Sequence, residues 1–276
     1  LSFLRAPRFS PDAKFINVNI DGKEIGHNRA VDVGIVGDAK MVLQQLTAEA
    51  AGKINGKQET AWVAQLAAKQ RSNEERNSPL LHSTNVPIHP LRLCKEVRDI
   101  ISRDTILVVD GHEILNFGRQ SIPIYDVACS LNAGPHGCMG VGIPFGIGAK
   151  VARPDKPVVV LSGDGAFGWN GMEMDTAIRH KLAIVVVVSN NAGFTSRQTG
   201  RMTASNMGLE NVGRDLGYQR YDKMVEALGG YGEFVEKPDD IAPAIKRAIA
   251  SGKPALVNVC TDPDAQATTD MGFGGY

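Results

Sequence analysis

Two short polar turns carry the residues best suited to chemistry in this chain. Gly163-Asp164-Gly165 closes the apolar run 157–161, and Asn190-Asn191-Ala192-Gly193 closes the apolar run 182–188. Each run reads as a buried strand, and the 24 residues between Gly165 and Asn190 leave room for one helix. A β-α-β unit of this kind brings both turns to the same edge of a sheet. There a carboxylate, an amide oxygen and a backbone carbonyl can converge on a hard cation such as magnesium, which takes few protein ligands and completes its shell with phosphate oxygens. Gly165 lets the main chain approach a diphosphate closely, and a helix over 169–180 is expected to point its N-terminus toward that charge. Gly-Asp-Gly by itself is ordinarily a turn; the Asn-Asn at the end of the next strand gives the pair its meaning.

The elements that must position these turns form a repeating series. A helix over 90–101 places Leu93, Val97, Ile100 and Ile101 on one face. A strand over 105–109 follows and ends at Asp110-Gly111. The Gly-rich stretch 134–148 leads into another helix, and a helix over 238–250 precedes a strand over 255–260. Strands alternating with helices predict an α/β fold with a doubly wound parallel sheet and ligands outside the carboxyl ends of the strands.

Upstream, strands over 14–20 and 31–36 and an amphipathic helix over 39–51 read as the end of a second α/β domain. The chain opens on Leu1-Ser2-Phe3-Leu4 without Met, as the downstream part of a longer protein would. The expected organisation is 1–47 for that domain, 48–85 for a polar linker with a helical patch at 61–69, 86–265 for the parallel-sheet domain, and 266–276 for a small-residue tail able to act as a lid.

Thirty basic and thirty acidic side chains leave no net charge, so there is no field to draw in nucleic acid or an anionic membrane. No apolar stretch is long enough to span a bilayer. Cys94, Cys129, Cys138 and Cys260 lack the spacing of a zinc site or a disulfide framework, and a reducing, cytoplasmic setting is expected.

The Gly-Asp-Gly and Asn-Asn turns, with Gly193 two residues after Asn191, resemble the signature of thiamine diphosphate (ThDP)-dependent enzymes. The resemblance covers about residues 1–47 and 86–265, as the end of that family's middle domain and its C-terminal cofactor domain. It implies magnesium held by the side chains of Asp164 and Asn191 and the carbonyl of Gly193, with Gly163, Gly165, Ala166 and Phe194 around the diphosphate. Gly137-Cys138-Met139-Gly140-Val141-Gly142-Ile143-Pro144 resembles the loop beneath the aminopyrimidine. In that resemblance Met139 wedges the cofactor into its bent form and the Gly137 carbonyl holds the amino group. Asp110-Gly111-His112-Glu113 lies where the family loop meets the diphosphate or substrate, so His112 and Glu113 are candidates for the catalytic proton transfer; Asn116 and Arg119 carry less weight.

Gly163–Gly168, Gly171-Met172-Glu173-Met174, Arg220-Tyr221-Asp222-Lys223-Met224 and Asp262-Pro263-Asp264-Ala265 resemble the branch acting on acyl-CoA, which holds 2-hydroxyacyl-CoA lyase and oxalyl-CoA decarboxylase. The decarboxylase pattern places a Tyr two residues after the last metal-ligand Gly and Ser and Arg near the C-terminus. This chain has Phe194-Thr195 at the first place and Ala267-Thr268-Thr269-Asp270-Met271 at the second. The departures favour the lyase: cleavage of a 2-hydroxyacyl-CoA to formyl-CoA and an aldehyde or ketone, or the reverse condensation. An acetolactate-synthase-like carboligase on 2-keto acids is the alternative outside that branch. Thr195 and Arg197 would border the substrate, and Asn19 and Asp38 would touch the adenosine of CoA or a bound ADP. The resemblance further implies a homodimer or homotetramer with the active site between subunits, and an activating Glu in a domain that this chain does not match, so that the chain alone is expected to be inactive.

Overall fold

The computed structural model describes residues 9–10, 12–27, 29–54, 56, 60–197, 205, 207 and 213–267. The chain divides into two compact units, Leu1–Lys69 and Gln70–Tyr276.

In the first unit, β1 (Ile16–Asn19) pairs in parallel with β2 (Val33–Val36), and α1 (Ala39–Ala50) follows. Asp38 caps α1, its side chain accepting the Met41 N–H at 3.0 Å, and Asn19 accepts the Asp21 N–H at 3.0 Å. The two residues expected to meet adenosine therefore have local roles, a helix cap and a turn, that account for them without a nucleotide.

The helical patch expected at 61–69 is the start of a much longer α2, Ala61–Leu81. Its second half, 71–81, mixes the helix formers Arg71, Glu74, Glu75 and Arg76 with Ser, Asn and Pro79 and has no apolar stripe, so nothing in its periodicity announces it.

The second unit is built on a six-stranded, all-parallel sheet in the order β4-β3-β5-β6-β8-β7. The strands are β3 (Ile106–Asp110), β4 (Ser130–Leu131), β5 (Val158–Gly163), β6 (Val185–Asn190), β7 (Tyr231–Val235) and β8 (Ala255–Cys260). Both faces are covered, so the central strands are near-continuous runs of Val, Leu and Ile. Strand periodicity divides them between two cores. Leu107, Val109, Val159, Leu161, Val187 and Val257 point to one side; Val108, Val160, Val186, Val188 and Leu256 point to the other. The first face packs on α3 (Pro90–Ile100), α4 (Glu113–Ser121) and α9 (Ile241–Ala250). The second packs on α5 (Gly142–Ala152), α6 (Asp164–Asn170), α7 (Met174–Arg179) and α8 (Tyr221–Ala227). Each fully buried Val or Leu contributes roughly 1.5–3 kcal/mol relative to exposure.

Two expectations need correction here. The helix after Gly163 does not begin at Trp169: α6 starts at Asp164 itself, a short 3-10 turn covers Gly171–Glu173, and α7 completes the segment. An acidic residue in a first turn suits the positive end of a helix, whereas Gly165 and Gly168 weaken the apolar signal that would have marked the start. The loop expected around His112 is likewise short, because Glu113 opens α4 and carries Asn116 and Arg119 into that helix.

From β3 the chain steps outward to β4, then returns past β3 to β5. The reversal puts a switch point between the carboxyl ends of β3 and β5, where doubly wound folds bind ligands.

Candidate functional site

At the switch point the main chains nearly touch. A Cβ on Gly111 would lie 3.3 Å from the Gly163 nitrogen, and Gly111 has φ of 115°, so the crossing needs glycine. One residue earlier, buried Asp110 accepts the Gly142 N–H at 2.7 Å and thereby fastens the first turn of α5 to the end of β3. Burial is the main influence on Asp110 and raises its carboxyl above the ordinary range. The loop before α5 thus has a fixed exit. Gly137 and Gly140 adopt φ of 65° and 88°, and Asn170 on α6 donates to the Gly140 carbonyl at 2.8 Å. Met139 between them is 42% exposed, which rules out plain core packing.

Asp164 is the centre of the arrangement. Its side chain is 1% exposed, with Oδ1 accepting the Gly165 N–H and Oδ2 the Gly193 N–H, both at 2.9 Å. No basic side chain of the described residues pairs with it, and burial pushes its carboxyl up to about 7. A buried carboxylate without a cationic partner is costly unless an ion completes it. Gly193 is placed to help. It forms an isolated antiparallel bridge with Asp215, through Phe194 N–H to the Arg214 carbonyl at 2.9 Å and Leu216 N–H to the Ala192 carbonyl at 2.8 Å. In that pattern the N–H and C=O of Gly193 both face away from Asp215, and its N–H meets Asp164.

The adjacent asparagines divide the work. Asn190 is fully buried and ties three elements together: Nδ2 donates to the Gln219 carbonyl and to Asn258 Oδ1, each at 3.1 Å, and Oδ1 accepts the Ala192 N–H. Asn191 donates its amide to the Thr195 carbonyl at 2.8 Å, which fixes Nδ2 and leaves Oδ1 for another partner. Ala192 and Thr195 both have φ of 61°, a left-handed conformation that costs non-glycine residues about 1 kcal/mol each. Asn190→Ala is expected to lower folding stability by roughly 2–3 kcal/mol. Asn191→Ala loses one hydrogen bond and is expected to cost only about 1 kcal/mol while weakening cofactor binding; a denaturant titration beside a cofactor titration separates the two.

A cation at this turn would draw on Asp164, the Asn191 amide oxygen and the Gly193 carbonyl, completed by oxygens of its ligand. Among the described residues no group of three His, Cys, Asp or Glu side chains gathers anywhere to hold a metal by itself. Small residues shape the cradle. A Cβ on Gly165 would stand 2.6 Å from the Phe194 ring, so that ring packs against the Gly-Asp-Gly turn. Ala166, next along α6, is buried. The cleft beside Asn191 and Thr195 is also lined by Arg197, Arg214, Asp215 and Pro263. Arg197 stands 3.6 Å from Asp264, and its N–H donates to the Pro263 carbonyl. Arg214 and Asp215 escape sequence reasoning, because they belong to no motif.

His112 and Glu113 lie just past Gly111. His112 Nδ1 is 3.7 Å from Glu113 Oε1, and the Glu113 carboxylate raises the imidazole above its ordinary value. Glu113 Oε2 accepts the Ala267 N–H at 3.2 Å. Of the tail expected to form a lid, residues 268–276 lie outside the described residues.

Asp164 also gives the cation-free protein a pH signature. Below about pH 4 the group is protonated folded or unfolded; between there and about 7 only the unfolded chain ionises freely. Stability should therefore fall as pH rises through that window, by up to about 1.4 kcal/mol per unit, and flatten above it. Urea titrations against Asp164→Ala as reference check this, since the variant lacks the slope.

The geometry coincides with family membership. Residues 116–259 match the family described as thiamine pyrophosphate enzyme, C-terminal TPP binding domain, and residues 2–46 match its central domain. The chain belongs to the thiamine pyrophosphate enzymes. It is 38% identical over 237 residues to a probable acetolactate synthase of Mycobacterium bovis, covering 86% of this chain and 42% of that protein. It is 35% identical over 280 residues to a 2-hydroxyacyl-CoA lyase of Arabidopsis thaliana, covering 97% and 48%. To an oxalyl-CoA decarboxylase of Escherichia coli it is 33% identical over 264 residues, covering 93% and 45%. The chain spans about half the length of the curated relatives it matches.

Proposed function

We propose that the full-length protein cleaves 2-hydroxyacyl-CoA to formyl-CoA and an aldehyde or ketone, or runs the reverse condensation, with ThDP and magnesium. The observation that carries this reading is the pair Phe194-Thr195 at the mouth of the metal turn. Phe194 is turned down onto Gly165, and Thr195 offers a short hydroxyl where a decarboxylase would offer a phenol. That suits an apolar or hydroxylated acyl group better than a dianionic oxalyl group. Similarity to the lyase running over 97% of the chain supports it further. The 38% identity to an acetolactate synthase favours a second reading, carboligation of 2-keto acids.

In the proposed site Asp164, Asn191 and Gly193 hold magnesium, and Gly163, Gly165 and Ala166 leave room for the diphosphate. Gly137 and Met139 support the aminopyrimidine side of the cofactor. When bound, ThDP supplies a nucleophilic carbon for attack on the carbonyl. His112 is the better candidate to accept the substrate hydroxyl proton, through Nε2, because both carboxylate oxygens of Glu113 already face partners. Arg197 and Arg214 offer cations to an anionic part of the substrate. Met139, Phe145, Trp169 and Met172 expose apolar side chains around the 137–141 loop, which supports a homodimer or homotetramer with subunits meeting there.

The deciding experiment incubates full-length protein, ThDP and magnesium with a panel of 2-hydroxyacyl-CoAs, oxalyl-CoA and pyruvate. Formyl-CoA should appear from the hydroxyacyl substrates. Its absence from the hydroxyacyl substrates, with acetolactate formed from pyruvate, would replace the lyase reading by the second one, and formyl-CoA from oxalyl-CoA alone would mark a decarboxylase.

A further inference from the structure

A second cleft opens at the amino ends of β3 and β4, the edge of the sheet opposite the metal turn. Its floor is apolar and buried: Leu107 of β3 and Ile122 after α4, both less than a tenth exposed, with buried Cys129 before β4 at its margin on the other face of the sheet. Ile101, Ile124 and Tyr125 form the walls, and Tyr125 remains 57% exposed. Two cations, Arg98 and Arg103, stand on the lining. Arg98 is committed to Asp99 at 2.8 Å. Arg103 is not: its guanidinium lies 4.2 Å over the Tyr125 ring, and no carboxylate of the described residues pairs with it. A guanidinium stacked by its face keeps its N–H edge for a planar anion. Behind the floor, Lys156 approaches Cys129 Sγ at 3.7 Å and Asp126 at 3.8 Å, so the positive charge there is partly answered.

We propose that this cleft binds a small carboxylate with a short aliphatic or aromatic body, its carboxylate on Arg103 and its body on Leu107, Ile122 and Tyr125. An inorganic anion would leave the apolar floor wet, and a neutral apolar ligand would leave Arg103 without its counter-charge. The cleft is separate from the proposed catalytic edge, so the inference does not depend on which reaction that edge performs.

The test uses full-length protein saturated with magnesium and ThDP, titrated with hexanoate by calorimetry and ligand-observed NMR. Acetate, hexanol and inorganic phosphate are run as matched probes. Hexanoate should saturate, with its chain close to the Tyr125 ring, and each matched probe should bind at least about tenfold more weakly. Arg103→Gln and Ile124→Asp, both substitutions at the rim, should weaken hexanoate by a similar factor while Asn191→Ala leaves it unchanged. Failure of hexanoate to saturate, equal binding by Arg103→Gln, or loss of binding in Asn191→Ala would each overturn the proposal.

Discussion

Asp164→Ala should abolish magnesium-dependent binding of ThDP, with a loss of affinity of at least about a hundredfold. Substitutions that only orient a metal ligand already cost about 10–100-fold, and this one removes the ligand itself. The variant also unfastens the turn, because Gly165 and Gly193 both donate to that carboxylate. Two effects therefore coincide in one titration, and protein stability tells them apart. The cation-free variant escapes the cost of a buried carboxylate pushed up to about 7, so it should remain folded above that pH while failing to bind. Cofactor affinity within about threefold of the unsubstituted protein would reassign the cation to other oxygens.

Gly193→Ala should be nearly as damaging for a different reason. A methyl group there would meet the Arg214 carbonyl oxygen at 2.9 Å, and that oxygen is main chain, already accepting the Phe194 N–H. It cannot step aside as a flexible side chain would. Stability is expected to fall by about 1–3 kcal/mol as the bridge to Asp215 is pushed apart. ThDP affinity should drop at least about tenfold, because Gly193 no longer meets Asp164. Gly168→Ala supplies the control: a Cβ at that helical position meets nothing within 4 Å. It should leave binding intact and stabilise the fold by up to about 1 kcal/mol. Equal losses in the two variants would mean that the site tolerates no change in α6 and that the bridge is incidental.

What the sequence made legible, and what it hid, follows from how local each signal is. The central strands are continuous apolar runs ended by Gly, Asp or Asn, and no tertiary knowledge is needed to read them. The Asp164 and Asn191 turns inherit that clarity because each directly follows such a run. The edge strand β7 carries little signal: Gly232 interrupts it, and only Val235 is fully buried. Strand β4 has two residues, below any periodicity. The different duties of Asn190 and Asn191 were equally hidden, since they arise from Gln219 and Asn258, far away in the chain. Asp110 stands in the Asp-Gly-His-Glu turn, yet its role as the anchor of Gly142 depends on a contact across 32 positions.

The strand order also bears on how the protein is made. β6 and β8 are hydrogen-bonded neighbours along six residue pairs, yet residues 191–254 lie between them in the chain. Pairing β6 with β8 therefore closes a loop of that length. Closing so long a loop carries an entropic cost that only late, non-local pairing repays, so assembly should be slow compared with helical proteins of similar size. Asn191 and Gly193 open that loop, and Asn190, buried against Asn258 of β8, marks its closure. The turn of Asp164, Asn191 and Gly193 should therefore be among the last parts of the molecule to become ordered on the way from ribosome to native state.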